Sequence, residues 1–298
     1  MLSKDIATEF RGRGWQIPLS PLAYSEIREE VDPSVNDFEL WDSYWRYGGL
    51  PQVWNLQSEA EKRQYLRQVF LTTYLKDIIE RNGIKNAAAF EEVTAFLAGS
   101  VGSLINPTKI ANTFQSKEKV KVVPETIRKY LSYPEDAFLI RKTERYDLKG
   151  KELFSSSSKI YFEDIGIRNA AVDFKGMDQE PRFMENIIFN ELISRGYLIH
   201  VGSLTDVEKK NGQSVKVTRE IDFVIEKDGK RYYIQSAFLI DNEEKLRQEK
   251  ESFRRIPDVF PRIIISKFTS GKSYDDDGVI VMRLGLFDFL KDKNSLIY

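Results

Sequence analysis

The sequence predicts a mixed α and α/β protein, helical in its first half and strand-rich in its last third. Apolar residues recur at helical spacing across 58–81, with Leu66, Val69, Phe70, Tyr74 and Ile78 forming one stripe. The stretch from Arg219 to Phe238, REIDFVIEKDGKRYYIQSAF, alternates around Asp228-Gly229, the strongest short hairpin signal. From about Lys159 onward, strand-like and helix-like segments take turns, which is the order of an α/β domain.

A chain of 298 residues can hold two or three domains, each of roughly 100–150 residues. Its 41% hydrophobic and 31% charged content is that of a soluble globular protein. No apolar run approaches the ~18–20 residues that a membrane span needs. The start, Met-Leu-Ser-Lys-Asp, lacks the apolar core of a signal peptide, and without cysteine there are no disulfides or thiolate metal sites. We therefore expect a cytoplasmic protein with no membrane contact. Net charge is −1, yet residues 101–151 hold eleven Lys/Arg against six Asp/Glu, a local excess that favours polyanions. The single histidine, His200, ends the apolar segment Tyr197-Leu-Ile-His and reads as a packed or surface residue. Zinc sites or triads built on histidines have no second one to use.

In chain order, the first sixty residues read as irregular structure with short helices, and Tyr47 to Trp54, YGGLPQVW, as a constrained turn beside aromatics. A long amphipathic helix covers about Ser58 to Arg81 and stops at Asn82-Gly83. A second runs from Ala87 to about Leu104. A third begins near Pro107, and a fourth follows Pro124, a residue suited to a helix start. In the fourth, Ile127, Tyr130 and Leu131 make the apolar face and leave Thr126, Arg128 and Lys129 outward. Two short helices and then alternating strands through Phe138 to Phe162 is the order of a winged helix-turn-helix, whose second helix enters a DNA groove while the wing touches phosphates. Arg128, Lys129, Arg141 and Lys142 are its candidate nucleic-acid contacts. The competing use of such a module is docking to protein. No Gly-x-x-x-x-Gly-Lys-Ser/Thr loop is present to cradle a nucleotide.

With a two-residue turn at Asp228-Gly229, Asp222 falls opposite Gln235 and Glu220 opposite Ala237. Alternation then places these four on one face, a shallow polar pocket, while Ile221, Phe223, Ile225, Tyr232, Ile234 and Phe238 face the core. Glu185, on the preceding helix, is a candidate third oxygen donor. Such a set suits Mg2+, which takes oxygen ligands, activates water and offsets phosphate charge. A lysine two residues after the second ligand would orient the attacking water, and that position holds Ala237.

The segments FMENIIFNELISRGY, REIDFVI and RYYIQSAF resemble the successive motifs of the PD-(D/E)xK nuclease superfamily. The wider order resembles the C-terminal part of a bacterial and archaeal family of AAA-type ATPases ending in a domain of uncharacterised function. LSKDIATEFRGRGWQIPLSPLAYSEI is similar to the end of that ATPase core, YWRYGGLPQVW to its lid, LKDIIERNGI and TIRKYLSYPEDAFLIRKTERYD to its winged-helix part, and KIYFEDIGIRNA to the entry into its nuclease-like domain. The resemblance implies a division at 1–57 (remnant of ATPase core and lid), 58–155 (helical and winged helix-turn-helix domain) and 156–298 (α/β/α nuclease-like domain). It implies Glu185, Asp222 and Gln235 as the matched catalytic and metal positions, with Lys245 or Lys250 able to stand in for the missing lysine. It also implies Arg11 or Arg13 as an arginine finger. The nucleotide loop would lie before Met1, so ATP is expected only where a longer natural protein supplies it, and this chain is expected to have no independent enzymatic activity.

The function expected from these features is a DNA- or partner-binding module with a degenerate nuclease-like domain. A Mg2+-dependent DNA nuclease with a relocated lysine and a protein-interaction scaffold are the alternatives. Salt-sensitive duplex binding separates the first two from the scaffold, and metal-dependent cleavage separates the nuclease from the first.

Overall fold

The computed structural model describes residues 19–117, 122–210, 213–276 and 278–296. The chain forms two compact units that interleave in sequence, one from residues up to Lys142 together with Lys159–Ile187, the other from Thr143–Ser158 together with residues from Ile188 on. Among the described residues no helix is long and apolar enough to cross a membrane.

The first unit is helical. Short helices Tyr24–Glu30, Asp37–Tyr47 and Pro51–Trp54 form in the segment expected to hold irregular structure with short helices. The long helix expected over 58–81 forms in three parts, Glu59–Gln68, a π-helical stretch Val69–Leu75, and Lys76–Arg81. It begins on a capping box in which Ser58 and Glu61 satisfy each other's backbone N–H groups. Helices Ala87–Gly99, Pro107–Lys117 and Pro124–Asp136 follow, with the short strand β1 (Leu104–Ile105) after the first of them. The two prolines occupy the helix starts predicted for them, where a missing N–H removes no helical bond.

The Tyr-Gly-Gly-Leu-Pro turn is held to the helix Ile165–Ala171 of the same unit. Gly49 N–H donates to Asp164 Oδ2 at 2.6 Å, Ile167 N–H donates to Asp164 Oδ1 at 2.8 Å, and Asn169 Nδ2 donates to the Trp45 and Arg46 carbonyls at 2.9 Å. Gly48 ends the helix Asp37–Tyr47 at φ +74°, a conformation open to glycine. The guanidinium of Arg168, 1% exposed, lies 4.4 Å over the Phe183 ring and donates through Nε to the Ala98 carbonyl at 2.7 Å. Burial and the neighbouring charge of Arg182 lower its pKa to about 10.

The second unit is built on a mixed sheet. Strands β2 (Ile140–Asp147) and β3 (Leu153–Phe162) enter it. They are followed by β4 (Leu198–Lys210), β5 (Gln213–Lys227), β6 (Lys230–Ala237), β7 (Arg262–Ser266), β8 (Lys272–Asp276) and β9 (Ile280–Gly285). Their spatial order is β3-β2-β4-β5-β6-β7-β9-β8. β2–β4, β6–β7 and β7–β9 are parallel, while β4–β5, β5–β6 and β8–β9 are antiparallel. Helices cover both faces of the sheet. Phe189, in the second half of the helix Glu180–Ser194, meets Phe223 at 6.4 Å on one face, while Phe253 of the helix Glu243–Arg254 joins Val224, Tyr233 and Ile264 on the other.

Candidate acidic site and nucleic-acid interface

The β5–β6 hairpin turns at Asp228 and Gly229, with φ of +50° and +74°, the left-handed pair that a two-residue turn of type I′ requires. The predicted register holds, with Phe223 opposite Ile234 and Lys227 opposite Lys230. Beyond Phe223 the strand irregularity changes the picture. Against β4, His200 pairs with Val224 but Gly202 pairs with Ile221, so two residues of β5 oppose one of β4.

That bulge corrects the face assignment. Ile221 and Ala237, expected on opposite faces, join one buried cluster with Val224, Tyr233, Phe253 and Ile264. The face expected to be a polar pocket is core, because a second helix covers it. Ala237 is 3% exposed there, so the position matched to the nuclease lysine is lined by hydrocarbon. Asp222, 7% exposed, completes the broken ladder with its side chain. Ser236 N–H donates to Asp222 Oδ2 at 2.9 Å, and Asp222 N–H points at Gln235 Oε1, 3.4 Å away.

Of the lysines able to replace the missing one, Lys245 forms a surface pair with Glu249 at 2.7 Å. Lys250 is 1% exposed, on the same inward side of its helix as Phe253. A buried ammonium is tolerated only with acceptors around it, so Lys250 is a polar element built into the layer between helix and sheet.

Glu185 belongs to the first unit, whereas Asp222 and Gln235 belong to the second. Its Oε1 accepts from Lys159 Nζ at 2.8 Å and from Tyr161 OH at 2.7 Å, and Lys159 is 2% exposed. Sequence reasoning missed Lys159 and Tyr161, since a lysine inside an apolar strand segment is the only signal they give. Among the described residues no group of three or more His, Asp or Glu side chains is arranged to hold a metal ion. Asp222 and Gln235 supply one carboxylate and one amide oxygen, a set that Mg2+ would have to complete with phosphate and water oxygens.

The predicted DNA contacts are largely ion-paired within the chain. Arg128 bonds Glu125 at 3.0 Å, Arg141 bonds Glu163 at 2.7 Å and Lys142 bonds Glu135 at 2.8 Å, while Lys129 is exposed. Arg11 and Arg13 lie outside the described residues. His200 packs against Tyr146 with ring centroids 6.2 Å apart, and burial lowers its pKa.

The described units thus make up a mixed α/β protein with one helical unit and one helix-covered sheet. Residues 38–178 match the family described as a domain of unknown function, DUF8612. An uncharacterized protein of Haemophilus influenzae is 35% identical over 288 residues, 95% of this chain and 66% of that protein. The uncharacterized protein MJ1544 of Methanocaldococcus jannaschii is 28% identical over 269 residues, 87% of this chain and 58% of that one. The chain therefore spans 66% or less of the length of these two relatives. The crystal structure of protein VC1899 from Vibrio cholerae is similar over 77% of this chain and 55% of that chain, at 13% identity and a TM-score of 0.25.

Proposed function

We propose that the chain is a DNA-binding module of a larger AAA-type ATPase-family protein, with a winged helix-turn-helix in its first half and a nuclease-like second unit that does not cut. The observation that supports the non-cutting part is Ala237, which fills with hydrocarbon the position matched to the lysine of the PD-(D/E)xK motif. The order helix Pro107–Lys117, helix Pro124–Asp136, β2, β3 supports the winged-helix reading. Both relatives extend beyond the region they share with this chain, which leaves room for an ATPase core in them. The test is incubation of the protein with linear duplex DNA and Mg2+ or Mn2+. We expect no cleavage above background, and robust cutting that Asp222→Asn abolishes would overturn the reading.

One observation favours a second reading, a Mg2+-dependent nuclease with a relocated lysine. Lys250 is 1% exposed on a helix that packs against β5 and β6, the strands carrying Asp222 and Gln235. Bound Mg2+ would supply Lewis-acid stabilisation of the phosphate. Asp222 and Gln235 would orient it, and Lys250 would offset developing negative charge. Cleavage lost in both Asp222→Asn and Lys250→Met, with the fold intact, would select this reading.

A further inference from the structure

The cations expected to meet DNA, all in the first unit, are mostly neutralised by neighbouring acids, but the second unit has a ribbon face that carries cations without acids. β4 and β5 stay paired from Leu204↔Arg219 out to Lys210↔Gln213. β2 reaches β4 only as far as Ser203, and β6 reaches β5 only from Phe223 onward. The outer part is therefore a two-stranded ribbon of roughly 20 Å, at about 3.4 Å per residue. A ribbon without neighbouring strands is marginal on its own, so a sequence that keeps one this long has a use for it.

The two faces of the ribbon differ. The pairs Thr205↔Thr218, Val207↔Lys216 and Lys209↔Ser214 put these six residues on one face, and all six are exposed. The Thr205 and Thr218 hydroxyls are 3.1 Å apart, which confirms that they share it. The other face turns inward at the base of the ribbon, with Leu204 1% exposed, Asp206 ion-paired with Lys149, and Arg219 3.8 Å from Glu251, while Val215 and Gln213 towards its end are exposed. The outward face thus offers two ammonium groups, three hydroxyls and a methyl-bearing Val207 at 66% exposure, with no carboxylate among them. Neither Lys209 nor Lys216 has an ion-pair partner among the described residues.

We infer that this outward ribbon face is the chain's contact with duplex DNA, an inference that rests on the nucleic-acid reading above. Lysines and hydroxyls are the side chains that bond phosphate oxygens, and the major groove is wide enough to admit a two-stranded ribbon.

The test uses the full chain, a mixed-sequence duplex and fluorescence anisotropy across a salt series. We expect Lys209→Gln with Lys216→Gln to weaken binding about tenfold at low salt and to flatten the log–log salt slope by about 2, one unit for each lost phosphate contact. Lys209→Arg with Lys216→Arg should keep the slope, and circular dichroism melting should be the same for all three proteins. Arg128→Gln with Lys129→Gln should change the slope by less than the ribbon pair does. If the parent binds duplex and the ribbon glutamines leave its slope unchanged, the inference is overturned while the DNA reading stands. If the parent binds no duplex at low salt, the DNA reading fails and the inference with it.

Discussion

Asp164 and Gly49, 115 residues apart in the chain, are joined by a hydrogen bond of 2.6 Å from the Gly49 N–H to Asp164 Oδ2. The other oxygen of the same carboxylate caps the helix Ile165–Ala171 through Ile167 N–H. One buried side chain therefore ties the Gly-Gly turn to a helix start. The contact is close on every side, since a Cβ built on Gly49 would lie 1.9 Å from the Leu22 carbonyl oxygen and one on Gly166 would lie 2.1 Å from that of Tyr47.

Gly49→Ala should accordingly destabilise the protein by about 2–3 kcal/mol, because backbone rather than a flexible side chain must move to admit the methyl group. Gly83→Ala is the contrast. Gly83 has φ +57° but nothing within 4 Å of its absent Cβ, so the expected loss is only about 1 kcal/mol of backbone strain. Urea unfolding of the two variants checks the ranking, and equal losses would contradict the close packing at Gly49.

Burial of Asp164 raises its pKa from 3.8 to about 6, against the lowering effect of the backbone N–H groups that it accepts from. The folded state then binds this proton more readily than the unfolded chain does. The ionised carboxylate works against folding above pH 6, and acidification from about pH 6 towards pH 4 recovers up to about 3 kcal/mol. Asp164→Asn removes the titration and turns an NH2 group towards a backbone N–H. The stability advantage of the parent over Asp164→Asn should therefore grow as pH falls from 7 to 4, and a flat difference across that range would refute the shift.

Part of this was legible in the sequence. Asp228-Gly229 fixed the hairpin register because a turn needing two positive φ angles leaves few other choices, and Pro107 and Pro124 marked helix starts for the same kind of local reason. The bulge at Asp222 was not legible, since alternation extrapolated from Phe223 gives no sign that β4 slips by one residue at Gly202. Ala237 looked like a gap in a polar pocket because nothing local reveals that Phe253, sixteen positions later, covers it. The pairing of Arg128, Arg141 and Lys142 with acids also depends on tertiary neighbours, except for Glu125, one helical turn from Arg128.

Lys159 and Glu185 form a shielded pair at 2.8 Å, with side chains 3% and 14% exposed. Removing Lys159 takes one donor from a shielded carboxylate that also accepts from Tyr161 OH, and losing one member of a buried pair costs more than the pair itself contributes. Lys159→Met alone should cost about 3–5 kcal/mol, and Lys159→Met combined with Glu185→Gln should cost less than the sum of the single changes. A double-mutant cycle from urea midpoints measures this coupling, and strict additivity would exclude it.

The same logic separates two roles for Asp222. If its carboxylate mainly serves as the missing rung of the β5–β6 ladder, what matters is an acceptor for the Ser236 N–H, 2.9 Å away, and not the charge. Asp222→Ala would then leave that N–H unsatisfied in a site only 7% exposed for Asp222 itself, at a loss of about 1–3 kcal/mol. Asp222→Asn keeps an oxygen in place and should lose less than half as much. Hydrogen exchange locates the effect, because the Ser236 amide should lose protection in the alanine variant and keep it in the asparagine variant. Were both variants to unfold equally easily, the negative charge itself would be the stabilising feature, and its partner would have to be sought among the cations of the helix Glu243–Arg254.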